Sequence, residues 1–204
     1  MPQNLLIATR NSKKKRELET ILGDWDVNLL TLDNIEEMPE IEEDGATFAE
    51  NAIKKAQIIS ALSGFITLAD DSGLEVDALG GAPGIFSARF SGIDADDEKN
   101  NHKLLALMQN LSEVNRTARF VCLIAIATPE GIVQTVEGVC KGKIDITRRG
   151  QGGFGYDPLF IPSGFNKTFA ELSDEEKNEI SHRGKALQEA KPLLQRILGV
   201  EGVM

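Results

Sequence analysis

The stretch FITLADDSGLEVDALGGAPGIFSARFSG, residues 65–92, decides how the chain is organised. Its apolar opening, Phe65 to Ala69, predicts a short buried strand, and the two carboxylates that follow, Asp70 and Asp71, predict the point where that strand stops being core. Ser72-Gly73, the acids Glu75 and Asp77, and the run Gly80-Gly81-Ala82-Pro83-Gly84 predict loop beyond it. In open α/β sheets, ligands gather outside the carboxyl ends of strands, so paired aspartates there are candidates for metal binding or general-base work. Read alone, the tetrapeptide DDSG is better explained as the start of a turn. The rest of the chain competes with that explanation.

Working upstream, Thr47 and Glu50 form a capping-box pattern before a helix with Phe48, Ala52, Ala56, Ile59 and Leu62 at helical spacing, closed by Gly64. Asn4 to Thr9 predicts a first strand and residues 27–32 a second. Between them TRNSKKKRELETIL predicts a helix capped by Asn11 or Ser12, with Leu18, Ile21 and Leu22 on one face. The order β-α-β-α-β indicates an α/β fold. Lys13, Lys14, Lys15 and Arg16 crowd the helix start, where the macrodipole favours acids. A bound polyphosphate, held by these lysines and free first-turn amides, would explain that frustration; a solvated basic patch explains it equally well. The acids Glu36, Glu37, Glu40, Glu42, Glu43 and Asp44 read mostly as solvated loop, with one or two able to reach a magnesium ion.

The 204 residues suffice for one substantial core and a single domain, 1–204, and the formal net charge of −10 opposes binding a nucleic acid polymer. A small polyanion remains compatible if a local cationic island and a divalent metal shield it. No window approaches a membrane span, and the N-terminus lacks the pattern of a secretory signal, so a cytoplasmic location is expected. Cys122 and Cys140 are expected as buried thiols.

Downstream of residue 92, an amphipathic helix around Leu104, Leu105, Leu107, Met108 and Leu111 carries His102 on its surface. Residues 119–128 and 132–141 predict a hairpin, so the sheet is expected to be mixed. The segment GQGGFGYDPLFIP, residues 150–162, pairs a glycine-rich backbone able to approach a ligand with Phe154 and Tyr156 to stack on it; an ordinary turn before a strand competes. Ser173 and Glu176 predict a second capping box, which brings Lys177, His182 and Arg183 together near a helix break at Gly184. Charges of a surface helix would explain each of the three singly. Pro192 predicts a kink or restart in the last helix.

Taken in order, IATRNSKKKREL, EEDGATFAENA, ADDSGLEVDALGGAPGIFSARFSG, GGFGYDPLF and ELSDEEKNEISHRGKAL resemble the Ham1-like inosine triphosphate pyrophosphatase family, the house-cleaning dITP/XTP pyrophosphatases. The likeness runs over nearly the whole chain. It implies an α/β protein with a long, twisted, mixed sheet flanked by helices, in two lobes with a central cleft, and usually a homodimer. It implies hydrolysis of non-standard purine triphosphates to monophosphate and pyrophosphate with Mg2+. By position, Thr9, Arg10, Asn11, Ser12, Lys13 and Lys14 would hold the triphosphate. Asp71 would be general base and metal ligand, with Glu42 the best match for a second ligand and Glu43 beside it. Ser72 would contact substrate, and Phe154, Gly155, Tyr156, Asp157, Lys177, His182 and Arg183 would form the base pocket. Where family members often carry glycines in the first loop, this chain has Arg10 and Lys13.

The chemistry agrees with that resemblance: water attacking the α-phosphorus needs a base and a shield for charge on the leaving pyrophosphate. Donors in the pocket would accept the six-position oxygen of hypoxanthine or xanthine and be left unpaired by adenine. A broader nucleotide pyrophosphatase and a non-catalytic nucleotide-binding module are the competing expectations.

Overall fold

The computed structural model describes residues 3–22, 27–35, 38–94 and 96–199; Glu36 and Glu37, named among the loop acids, lie outside them. Six strands form one sheet in the order β2-β1-β3-β4-β5-β6. They are β1 (Gln3–Ile7), β2 (Val27–Thr31), β3 (Ile66–Val76), β4 (Thr117–Ala127), β5 (Val133–Ile144) and β6 (Phe160–Pro162). β1 pairs in parallel with β2 and β3, whereas β5 and β6 are antiparallel, so the sheet is mixed as expected. Five helices accompany these strands among the described residues: α1 (Ser12–Leu22), α2 (Phe48–Ser63), α3 (Asp97–Met108), α4 (Asp174–Ile180) and α5 (His182–Leu198).

The chain divides into two compact units. The first comprises residues 1–71, 122–138 and 183–204; the second comprises residues 72–121 and 139–182. In the first, Leu5 and Ile7 of β1, Leu68 of β3, Cys122, Ile124 and Ile126 of β4, Leu18 and Leu22 of α1, and Leu187 and Leu194 of α5 form one buried cluster. Leu5, Leu6 and Ile7 are all fully buried, the continuous apolar run expected of a parallel strand covered on both faces. The second unit packs Leu74, Leu104, Met108, Phe120, Phe160 and Phe169 together, with the rings of Phe120 and Phe160 edge to face at 4.8 Å.

The sequence signals that set α2 are visible. Thr47 accepts the Glu50 N–H at 3.1 Å, while the Glu50 carboxylate reaches Ala46 N–H at 2.7 Å, one residue ahead of a reciprocal box. Gly64, at φ 71, ends the helix in the left-handed region. Phe48, Ala52, Ala56 and Ile59 are buried, but Leu62, which helical spacing puts at the edge of that face, is 59% exposed.

Four expectations are corrected. β3 does not stop at Asp70; it continues through both aspartates to Val76, since alternate positions bury Leu74 and Val76 and keep the extended backbone paired. The helix break falls at Ser181, in extended conformation with ψ 160, and Gly184 lies inside α5. α5 runs on across Pro192, so the helix does not restart there, although Pro192 has no N–H to bond the Gln188 carbonyl. The strand expected over residues 158–161, after the glycine-rich turn, begins two residues later as β6 at Phe160–Pro162, behind a turn in which Leu159 and Phe160 N–H both donate to Tyr156 O. Cys122 and Cys140 are free and buried, as expected.

Candidate active site

In the first unit, β3 presents Asp70 and Asp71 with a two-residue repeat, so adjacent carboxylates face opposite sides. Asp70, 1% exposed, meets Lys14 Nζ at 3.0 Å and Arg183 Nη2 at 3.3 Å. Arg183, fully buried, also pairs with Glu17 of α1. Burial alone would raise the Asp70 carboxyl; the charges of Lys14, Arg183 and Lys55 outweigh it and hold the group well below the usual carboxylate range. Conversely, burial opposes a charged Arg183, and Asp70 and Glu17 more than offset it, so its pKa is raised.

Asp71, 7% exposed, has the opposite character. Burial and then the negative charge of Glu43 push its pKa up, against the hydrogen bond from Asn51 and the charges of Lys14 and Lys55. Asn51 Nδ2 donates to Asp71 Oδ2 at 3.0 Å, and its own Oδ1 is fixed by Gly45 N–H at 2.7 Å. Lys55, one helical turn on from Asn51, donates to Glu43 at 2.6 Å and to the Asp70 carbonyl at 2.7 Å. Its pKa is raised: burial works against the charge, but Asp70, Glu43 and Asp71 overcome it. Asn51, Lys55 and Glu17 were not singled out from sequence. The signal that could have found Asn51 and Lys55 is their i, i+4 spacing on α2, which puts both on the side facing β3.

The carboxylate whose charge reaches Asp71 is Glu43; Glu42, the sequence match for a metal ligand, is exposed. Two mutually repelling oxygen donors beside a cationic lysine suit a hard divalent ion such as magnesium, which needs only one or two protein carboxylates and fills its shell with water and phosphate. Among the described residues, no group of three or more His, Cys, Asp or Glu side chains is placed to hold a metal ion.

At the start of α1, Asn11 is the cap, its Oδ1 accepting from Lys13 N–H at 3.0 Å and Lys14 N–H at 3.2 Å. Those two amides are therefore not open to a phosphate, contrary to expectation. Asn11 N–H is itself held by Thr9 Oγ1 at 3.2 Å, and Arg10 donates to the Met38 carbonyl at 2.8 Å. Asn11, Ser12 and Lys13 are exposed, and no acid occupies the first turn.

In the second unit, Lys177 Nζ lies 2.7 Å from Asp157 Oδ2, with both side chains almost fully buried, and 4.9 Å from the centre of the Phe154 ring. The same Asp157 oxygen accepts the Phe154 N–H at 2.9 Å. Gly153, at φ 68, is required here: a Cβ would stand 2.0 Å from Asp157 Oδ2. Tyr156 is core rather than surface, its hydroxyl donating to the Ser87 carbonyl at 2.9 Å, and burial raises its pKa. His182 stacks on Phe120 with ring centres 4.6 Å apart. Ser72 is half-buried in β3. Of the expected trio, Lys177 and His182 belong to the second unit and Arg183 to the ion-pair network of the first. His102 is exposed beside Glu98, as a surface helix residue should be.

Fold and site together define an α/β protein that sets a carboxylate of raised pKa beside fixed cations, an acid–base arrangement suited to phosphoryl chemistry. The Ham1 family profile matches residues 5–193, and the chain belongs to that family. A curated relative from Desulforamulus reducens, named dITP/XTP pyrophosphatase, is 51% identical over 193 residues, 95% of this chain and 96% of that protein. Solved structures agree: the Staphylococcus aureus Ham1 protein has a TM-score of 0.86 at 37% identity, covering 96% of this chain and 100% of its own. The Coxiella burnetii HAM1 protein has a TM-score of 0.87 at 38% identity, covering 95% and 99%.

Proposed function

We propose that the chain hydrolyses dITP, ITP and XTP to the nucleoside monophosphate and pyrophosphate, by attack of water on the α-phosphorus. The observation that carries this reading is Asp71, a buried carboxylate pushed up in pKa and fixed in orientation by Asn51. A carboxylate raised in pKa is a better proton acceptor than an ordinary one, and general-base help to water is typically worth ~10²–10⁴-fold. The names of the relatives support the substrate class.

Asp71 orients the water and accepts its proton. Lys14 and the exposed Lys13, with Thr9 and Ser12, neutralise and hold the phosphate chain, and Lys55 keeps Glu43 turned toward Asp71. A magnesium ion held by Asp71 and Glu43 would supply polarisation of the phosphoryl oxygens. Phe154 stacks on the base, and Lys177 and His182 supply donors that match the six-position oxygen of hypoxanthine or xanthine. Asp70 stays ionised and fixes Lys14 and Arg183 in place. The family profile across residues 5–193 supports a single Ham1 domain over that range. A homodimer in the cytoplasm, acting on free nucleotides rather than nucleic acid, completes the reading; among the described residues no helix is long and apolar enough to cross a membrane.

The test is to incubate the purified protein with dITP and magnesium. Deoxyinosine monophosphate and pyrophosphate are expected; orthophosphate as the first inorganic product would overturn the proposed cut.

A further inference from the structure

The second unit contains a contact that the roles above do not use. Gly155 follows Phe154, and both of its backbone polar groups are held by side chains one helical turn apart on α3. Its N–H donates to Asp97 Oδ2 at 2.9 Å, and its carbonyl accepts from Asn101 Nδ2 at 2.8 Å. Positions i and i+4 share one helix face, so the two side chains reach the same residue of the loop. Asn101 Nδ2 also donates to the Asp97 carbonyl at 2.6 Å, which locks the amide's orientation.

Phe154 is fixed on its other side. Its N–H goes to Asp157 Oδ2 at 2.9 Å, and its carbonyl accepts the Asp157 N–H at 3.1 Å. Between Asp157, Asp97 and Asn101, every backbone polar group from Phe154 N–H to the Gly155 carbonyl is engaged, yet the Phe154 ring is only half-buried. A loop held this firmly beneath a partly open ring is a preorganised platform. Asn101 itself argues that position, not stability, is the purpose. It is 0% exposed, and its Oδ1 has no hydrogen-bond partner among the described residues. A buried unsatisfied acceptor is a cost that an apolar residue at this place would avoid.

We propose that Asp97 and Asn101 are positioning residues for base recognition: by clamping Gly155 they hold the Phe154 ring at the angle that stacks on a purine. The inference rests on the function proposed above. Its energetic signature is a loss of base affinity, with the phosphate end and the chemical step left alone.

Asp97 is exposed, so replacing it does not endanger the core, and it carries the test. Asp97→Ala should raise KM for dITP and the inhibition constant of deoxyinosine monophosphate about tenfold each, with kcat within about threefold and pyrophosphate inhibition unchanged. Asp97→Asn, which keeps an acceptor for the Gly155 N–H, should restore most of the loss. Hydrogen exchange at the Gly155 amide should quicken in Asp97→Ala and return in Asp97→Asn. An unchanged KM, an equal loss of pyrophosphate affinity, or failure of Asn to rescue would each overturn the assignment. If the wild-type protein does not cleave dITP, the proposed function fails. Amide exchange and monophosphate binding then still judge the clamp on their own.

Discussion

Asp70 and Asp71 are adjacent in β3 and electrostatically opposite: Asp70 Oδ2 sits 3.0 Å from Lys14 Nζ, whereas Asp71 Oδ2 accepts from the neutral amide of Asn51 at 3.0 Å and is reached by the negative charge of Glu43. One carboxyl is held down in pKa and the other pushed up. The strand's alternation produces this difference, because consecutive side chains enter different surroundings.

The two should respond differently to the same substitution. Asp71→Asn removes the base and should lower kcat by ~10²–10⁴-fold while leaving nucleotide binding in place. It should also raise stability at pH 7, since a carboxyl of raised pKa is penalised when charged in the folded state. Asp70→Asn removes the buried carboxylate that Lys14 and Arg183 share, leaving Arg183 its pair with Glu17, and should cost about 3–5 kcal/mol. Urea unfolding of both variants beside steady-state kinetics decides the matter.

The pH dependence of stability has two signs. Asp70, depressed in the folded state, contributes stability that is fully present above its unfolded pKa of ~3.9 and is lost as pH falls below that value. Asp71, raised in the folded state, works the other way: the folded protein loses stability as pH climbs from the unfolded pKa through the higher folded one. In Asp71→Asn the second effect should vanish and the first remain. Unfolding free energies measured from pH 3 to pH 7 would show it.

Glu43 and Glu42 make a matched pair for the metal. Glu43→Gln should weaken magnesium activation, raising the metal concentration for half-maximal rate by about tenfold or more, whereas Glu42→Gln at its exposed site should change it little. In metal-free protein, Glu43→Gln should also lower the Asp71 pKa, followed by carboxyl NMR, because the neighbouring negative charge is gone. Equal effects of the two substitutions would move the ligand elsewhere.

Gly153→Ala tests the loop backbone. Its φ of 68 and the 2.0 Å approach of a Cβ to Asp157 Oδ2 predict a displaced Asp157 and a loosened Lys177. The left-handed backbone alone costs ~1–2 kcal/mol. A fall in melting temperature with a raised KM for dITP is expected.

The local grammar of the chain was plain in one dimension. Thr47 and Glu50, Gly64, and the Ser173 and Glu176 box act through neighbours a few residues away, so their residue types specify helix ends without knowledge of the fold. The motif order likewise identified the family and marked Asp71, Lys14, Phe154 and Lys177, because chemistry of this kind needs those residue types.

Tertiary structure set the surroundings of like residues. The motif pointed to Asp71 over Asp70 and to Glu42 over Glu43, but it carried no account of the opposite pKa directions of the two aspartates or of Glu43 as the glutamate whose charge reaches Asp71, because a pKa depends on burial and on charges brought from distant segments, here Lys14, Lys55, Glu43 and Arg183. The sequence also could not show that β3 runs on through its aspartates, or that Arg183 turns to Asp70 and Glu17. Both depend on pairings between residues far apart in the chain, and only folding brings such partners within hydrogen-bonding distance.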